Sequence, residues 1–472
     1  MKRVFTKLEL VNILAGNATS NKAEAQACGI SFNSQEIIDD EIFIALKGEK
    51  RHGHDFVKDA LNKGASLAIV EESNFLSDKD IADKIIVVKD SLAALSKLAE
   101  TVRQEFTGPV VGVIGSVGKT TAKELLGSIA SHFMKCTRSL KSFNNIIGVP
   151  FTICNADLKD KLWVLELGMN HKGELLELSK LAKPSVLLLT QIAPEHMEFF
   201  NSIDEVADAE FEALSNMQDN GALIISLEDE DAIDALPRNL NRWHRENIRI
   251  HTFGSADDND LKISNFHHHL SDKTSGYVKS KFTLTHESQS VEISTSLIGE
   301  HNAKNFAASI LTLRNMFPNI SLIEIANVTD KIPPPPMRLN QIRTSNGTLI
   351  IDDTYNSSPL ALSAAIDILS ELKSSGLKVG LIIGDMLELG TEANHYHLEM
   401  VPKILTLNPT YSITYGPISK CISDELIKNK INSVHALTVD EVASLVKKDK
   451  VDVVLLKASR GIGLDKVVKL IT

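Results

Sequence analysis

The sequence predicts an α/β protein of three domains: a small amino-terminal α/β domain, a central domain on a mostly parallel sheet, and a smaller carboxy-terminal α/β domain. Three observations predict it. At 472 residues the chain is too long for one ordinary domain. Short apolar runs alternate with amphipathic helical stretches, as parallel strands joined by helical crossovers do. A stiff run of four prolines, Pro333 to Pro336, then separates two such alternating stretches.

The elements follow in order. Residues 1–85 carry short strands and turns, including the apolar run Glu41 to Leu46, with a helical stretch from Asp55. A connecting helix occupies 86–108: Leu92, Leu95, Leu98 and Val102 recur at helical spacing, Asp90 or Ser91 caps the start, and Gly108-Pro109 marks the stop. The central domain, 109–328, opens on the buried strand Val110 to Ile114, and strands and helices alternate to about residue 325. In 329–472 the pattern restarts, with strands at 348–352, 379–383, 411–415 and 452–456. The triplet His267-His268-His269 is read as a solvated or edge position, not a metal site, because strand neighbours point to opposite faces.

Composition narrows the function. With 50 basic and 61 acidic residues the net charge is −11, which argues against general nucleic-acid binding. No apolar run approaches the roughly 18 residues of a membrane span, so no membrane insertion is expected. Lys7 and Glu9 interrupt any signal-peptide core in the first ten residues. Cys28, Cys136, Cys154 and Cys421 form no CxxC pair, and a reducing cytoplasm is the expected compartment.

The strongest local signal is Gly115-Ser116-Val117-Gly118-Lys119-Thr120-Thr121 after the strand. The glycines let the backbone turn and aim N–H groups at a phosphate. Lys119 can reach β/γ phosphates, the Thr120 hydroxyl can bind Mg²⁺, and the helix starting near Thr120 adds its positive end. The strict GxxxxGK[ST] pattern fails, because Val113 stands at its first glycine. The loop implies nucleotide binding without fixing the reaction. A second apolar strand, Leu162 to Leu165, ends in Glu166, where an acid can hold Mg²⁺ directly or through water. His196, in Pro194-Glu195-His196-Met197-Glu198, follows the strand Val186 to Leu189 at the same kind of strand end.

Together these pieces resemble the Mur ligase family of ATP-dependent amide-forming enzymes, over nearly the whole chain. The motifs are the phosphate loop; Ser142-Phe143-Asn144-Asn145 leading into Gly148-Val149-Pro150; Glu166-Leu167-Gly168; and the His196 segment. Then come Gly299-Glu300-His301-Asn302 with Asn305; Pro335 and Met337-Arg338-Leu339; Asp352-Asp353-Thr354-Tyr355-Asn356; and Gly384-Asp385-Met386-Leu387-Glu388-Leu389-Gly390. The last two strings resemble the D-alanyl-D-alanine-adding branch.

The resemblance implies a UDP-substrate-binding first domain, an ATP-binding middle and a Rossmann-like ligase domain at the carboxy terminus. It implies ATP and Mg²⁺ as cofactors, with UDP-N-acetylmuramoyl-tripeptide and D-alanyl-D-alanine as partners of a monomer. Lys119 and Mg²⁺ would offset charge on a phosphoryl group moving to the substrate carboxylate. Thr120 and Glu166 would hold one Mg²⁺, and His196 would contribute to a second position. Asn302 and Asn305 resemble nucleotide-site residues, Arg338 would bridge phosphates, and Asp353 would face the ribose. Ser34, Lys47 and His54 would contact uridine and diphosphate, although Ser31-Phe32-Asn33-Ser34-Gln35 lacks the family's usual acid and arginine. Asn144, Asn145, Tyr355, Asn356 and Arg460 are the remaining substrate candidates, Arg460 in a Lys457-Ala458-Ser459-Arg460 string with alanine in place of the usual glycine.

One departure stands out. Mur ligases generally place a lysine, carbamylated by CO₂, fourteen residues after the motif histidine; here that position is Glu210, and no lysine lies between Lys183 and Lys262. Glutamate keeps the negative charge on a shorter stem, so Glu210 is expected to replace the carbamate electrostatically, with a bridging water spanning the gap. Two alternatives stay open: another Mur or folylpolyglutamate-type ligase, and a nucleotide-binding relative with impaired catalysis.

Overall fold

The computed structural model describes residues 2–18, 25–48, 51–270, 276–448 and 450–472, with backbone only for 447 and 448. By contacts the chain divides into two compact units: Met1–Val113 with Phe133–Leu187 and Glu212–Gly221, and Ile114–His132 with Leu188–Phe211 and Ala222–Thr472.

In the first unit, a four-stranded parallel sheet runs in the order Ile30–Ser31, Ile42–Ile44, Leu67–Val70, Ile85–Val87. Its strands are apolar without alternation because both faces are covered, as in Leu67-Ala68-Ile69-Val70, where every residue is buried. The helix Val57–Asn62 puts Val57, Ala60 and Leu61 into that core. The connecting helix spans Ser91–Glu105, and Asp90 caps it by accepting the Leu92 and Ala93 N–H groups at 2.8 and 2.9 Å. At its other end the buried Arg103 guanidinium donates to the Ala182, Phe106 and Lys183 carbonyls, which ties the helix to the segment after Phe133. Val110–Ile114 pairs in parallel with Leu162–Glu166, and that strand pairs with Cys136–Arg138. Trp163, fully buried, stacks on Phe106 with ring centroids 3.8 Å apart.

In the second unit, strands Ala222–Ser226, Arg249–Gly254 and Leu261–Leu270 pair in parallel, but Leu261–Leu270, Val278–His286 and Gln289–Thr295 form an antiparallel meander. The mostly parallel sheet is as expected, but the strand–helix alternation expected to about residue 325 is interrupted over 261–295 by this meander. The physical cause is local: His286 and Gln289 are joined by a two-residue turn with Glu287 at φ +54°, which closes a hairpin and leaves no room for a crossover. The histidine triplet also needs correction. His267 and His269 are exposed, but the His268 side chain is 6% exposed, ion-paired to Glu371, and accepts the Gly299 N–H at 3.0 Å.

The carboxy-terminal sheet has six strands, ordered Asn340–Arg343, Leu349–Asp353, Val453–Lys457, Val379–Gly384, Tyr411–Tyr415, Ser433–Ala436, all parallel except the first. Two apolar clusters cover it: Leu362, Ile366 and Leu369 of the helix Pro359–Ser374 in one, Val442, Val454 and Val467 in the other. The strand positions expected from sequence here agree to within about a residue. Several candidate residues close strands: Ile114, Asp353, Gly384 and Lys457 in the second unit, and Glu166 in the first.

Candidate active site

The strand Val110–Ile114 runs into a turn whose two glycines have left-handed φ values, +115° at Gly115 and +98° at Gly118. A Cβ on Gly115 would sit 2.5 Å from Thr190 Oγ1, and one on Gly118 would sit 2.9 Å from Asn305 Oδ1. Both positions therefore exclude side chains by space as well as by conformation. Ser116 and Val117 donate their N–H groups to the Gln191 carbonyl at 2.7 and 3.3 Å. Lys119 opens the helix Lys119–Ser131, and its ammonium folds back over the loop to the Gly115 and Ser116 carbonyls. It also lies 3.6 Å from the Glu195 carboxylate.

Glu210 ends the helix Ile203–Glu210, is 1% exposed, and accepts the Gly115 N–H at 2.8 Å. Burial pushes its carboxyl up to about 7, although the Lys119 charge and the Gly115 bond favour the anion. His196 sits at φ +55° with Nδ1 3.0 Å from a Glu388 oxygen. Burial alone would lower its pKa, but the Glu388 hydrogen bond and the charges of Glu195 and Glu388 raise it above the usual imidazole value. Glu388 is correspondingly held below the ordinary carboxylate range, chiefly by that hydrogen bond.

Arg338 reaches the same loop and donates to Thr120 Oγ1 at 3.1 Å. Its guanidinium lies 4.4 Å over the Tyr355 ring, and Arg460 lies 5.4 Å from the same ring. Asp353, beside them, accepts the Leu339 N–H and pairs with the buried Lys457 ammonium at 2.6 Å, which also donates to the Asn356 carbonyl. Asn302 bridges the Ile298 carbonyl and the Asn305 amide within the helix Glu300–Met316, whose N-cap is Gly299. Thr121 is buried in the first turn of the loop helix.

The first unit holds the other candidates. Glu166, 1% exposed at its strand end, accepts Asn144 Nδ2 at 3.1 Å, while Asn145 Oδ1 caps its own turn by accepting the Ile147 and Gly148 N–H groups. Ser34 is buried and hydrogen-bonds Asp59. Lys47 is ion-paired to Glu71, whose N–H donates to His54 Nε2 at 2.9 Å. Burial pulls the His54 pKa down.

Three family models match the chain. Residues 27–103 fit a Mur ligase catalytic domain, 113–313 the Mur ligase middle domain, and 337–460 the Mur ligase glutamate ligase domain. The chain is 31% identical over 474 residues to the UDP-N-acetylmuramoyl-tripeptide–D-alanyl-D-alanine ligase of Rickettsia prowazekii, covering 97% of this chain and 98% of that one. The chain belongs to the Mur ligase family. Its fold is similar to a crystal structure of MurF from Acinetobacter baumannii, with a TM-score of 0.83 at 24% identity, covering 99% and 98% of the two chains. It is also similar to MurF ligase from Thermotoga maritima in complex with ADP, with a TM-score of 0.76 at 25% identity over 94% and 96%. The three-domain α/β fold expected from sequence is thus the fold of this Mur ligase.

Within the second unit the structure brings together Lys119, Thr120, Glu210, His196, Arg338 and Asn305 around the loop, with Tyr355, Arg460 and Asp353 grouped beside Arg338. In the first unit it joins Glu166 to Asn144, and Lys47 through Glu71 to His54. Sequence reasoning assigned no role to Glu195, Glu388 or Lys457, although all three lie inside quoted motifs. The available signal was charge: an acid next to the motif histidine, and a lysine closing an apolar strand, which the fold then pairs in register with Asp353.

Proposed function

We propose that this chain is the ATP-dependent ligase that joins UDP-N-acetylmuramoyl-tripeptide to D-alanyl-D-alanine in cytoplasmic peptidoglycan-precursor synthesis, acting as a monomer. The single observation that best supports a ligase over a simple nucleotidase is Arg338 donating to the phosphate-loop Thr120. A guanidinium delivered from beyond the polyproline run to the loop suits a phosphoryl group being transferred to a second substrate. The relationship to the Rickettsia ligase supports the choice of substrates. Among the described residues, no helix is long and apolar enough to cross a membrane.

A carboxylate is a poor electrophile, so the tripeptide carboxylate first attacks the ATP γ-phosphorus, breaking the bond to ADP and giving an acyl phosphate. The dipeptide amine then attacks the acyl carbon and expels inorganic phosphate. Lys119 and Arg338 offset the charge on the phosphoryl oxygens in both steps. The glycine turn and the first turn of its helix, Gly115 to Thr121, cradle the nucleotide phosphates, with Asn302 and Asn305 supporting the turn and Asp353 facing the ribose. In the second unit Tyr355, Asn356 and Arg460 contact the condensing substrates; in the first, Asn144 and Asn145 do so, and Ser34, Lys47 and His54 hold the UDP portion.

Taken one by one, the Thr120 hydroxyl of the second unit and the buried Glu166 carboxylate of the first are each hard oxygen donors of the kind Mg²⁺ takes, and His196 would serve a separate metal position. Bound there, Mg²⁺ would supply charge neutralisation on the phosphates. Glu210 stands in for the family's carbamate as a carboxyl that needs no CO₂, ionised as pH rises through about 7. It braces Gly115 and interacts electrostatically with Lys119 and His196. The test is ADP release by purified protein with ATP and Mg²⁺, adding UDP-tripeptide and D-alanyl-D-alanine singly and together. Release that needs both is expected. Release that needs neither, or that answers only to glutamate or another L-amino acid, would overturn the assignment.

A further inference from the structure

The loop Gly384–Gly390 is anchored firmly at the carboxy-terminal sheet. Asp385, 1% exposed, accepts the Ser419 N–H at 2.7 Å and the Ile418 N–H at 3.2 Å. Met386 donates its N–H to His397 Nε2 at 3.0 Å, and Leu387 donates to Ser459 Oγ at 3.0 Å. From this braced loop Glu388 extends to His196, 192 positions earlier in the chain, with Nδ1 and the carboxylate oxygen 3.0 Å apart. The backbones also meet: a Cβ on Gly390 would sit 3.4 Å from Glu198 Cα. Both ends of the contact hold left-handed non-glycine conformations, φ +55° at His196 and +66° at Glu388. Such conformations cost free energy and persist only where surrounding structure enforces them.

We propose that Glu388 is a positioning residue that fixes the orientation and tautomer of His196. An ionised carboxylate only accepts hydrogen bonds, so the proton between the two groups belongs to Nδ1. In the neutral ring Nε2 then carries the lone pair, available to a cation or a proton. The other charged groups acting on His196 are Lys119, Glu195 and Glu210, all of the phosphate-loop cluster, so the ring lies between the carboxy-terminal loop and the nucleotide machinery. Glu388 thus makes the readiness of that histidine depend on the carboxy-terminal sheet being seated against it. The inference rests on the ligase reading only for its kinetic consequence.

The experiment uses the full chain with ¹⁵N-labelled histidine, without ligands, at a pH above the imidazole titration. His196, assigned by its loss in His196→Gln, is expected to show the Nδ1–H tautomer. Glu388→Ala should move it toward the mixture of a free imidazole and lower kcat by about tenfold. Its KM for ATP should stay within about twofold, because the side chain does not belong to the phosphate cradle. Glu388→Gln retains an acceptor oxygen and should restore the Nδ1–H signal and most of kcat. An unchanged tautomer in Glu388→Ala, or an unchanged kcat, overturns the inference. A parent protein that shows the tautomer yet forms no amide overturns the ligase reading and leaves the positioning intact.

Discussion

The phosphate-loop cluster and the amino-terminal sheet both present charged residues from recognisable motifs, but they hold them differently. Around the loop, Glu210 is 1% exposed, Lys119 shares two carbonyls and Glu195, and Arg338 is stacked and hydrogen-bonded. In the amino-terminal sheet, the Lys47 side chain is 62% exposed and its ion pair with Glu71 meets solvent. Exposed pairs contribute little, whereas removing one partner of a buried set leaves the rest uncompensated. On the reading proposed above, the chemistry belongs where charge is desolvated. Substitutions in the two regions should therefore differ by orders of magnitude.

The largest effect is expected at Lys119. Lys119→Ala should reduce amide formation on the order of 10²-fold or more, read as substrate-dependent ADP release. Activity within threefold of the parent would remove Lys119 from the mechanism and erase the contrast. Arg338→Lys comes next, expected to lower kcat by roughly tenfold or more, because lysine keeps the charge but loses the planar fork and the stacking on Tyr355. Retention of full kcat would mean that charge alone suffices there.

Glu210 sharpens the comparison through pH. Its folded carboxyl titrates at about 7, above the ordinary 4.5, so between those values the folded chain binds the extra proton. Stability contributed by this group is therefore greatest below about 4.5 and lost as pH rises to 7, by about 3 kcal/mol at most. Glu210→Gln should lack that loss in chemical denaturation across the window, while turnover falls sharply and parental turnover is indifferent to bicarbonate removal. A parallel pH profile for parent and variant would show that Glu210 is not held in the way described. At the small end, Lys47→Ala should raise KM for the UDP substrate only a few-fold and leave the denaturation midpoint essentially where it is. A loss as large as that of Lys119→Ala would abolish the distinction between the regions.

Much of this was legible in the sequence, for identifiable reasons. Buried strands such as Val110–Ile114 and Leu162–Glu166 are apolar runs, the first followed by a glycine and the second ending in an acid, so both their type and their ends could be read. The antiparallel meander was not anticipated, although Val278–His286 alternates buried and half-buried residues, because the hairpin turn at Glu287 lacks the usual glycine. His268 was misjudged because its burial depends on Glu371 and Gly299, distant in sequence. Glu195 and Glu388 were invisible as site residues for the same reason: each matters through a partner far along the chain.

Every role assigned above depends on this Mur ligase activating the tripeptide carboxylate as an acyl phosphate before amide formation. The most direct measurement supplies UDP-N-acetylmuramoyl-tripeptide with ¹⁸O at both oxygens of that carboxylate, with ATP, Mg²⁺ and D-alanyl-D-alanine, and follows the label by mass spectrometry. The account predicts that one ¹⁸O appears in the released phosphate for each amide formed. Unlabelled phosphate, or phosphate released at the same rate without the dipeptide, would contradict it.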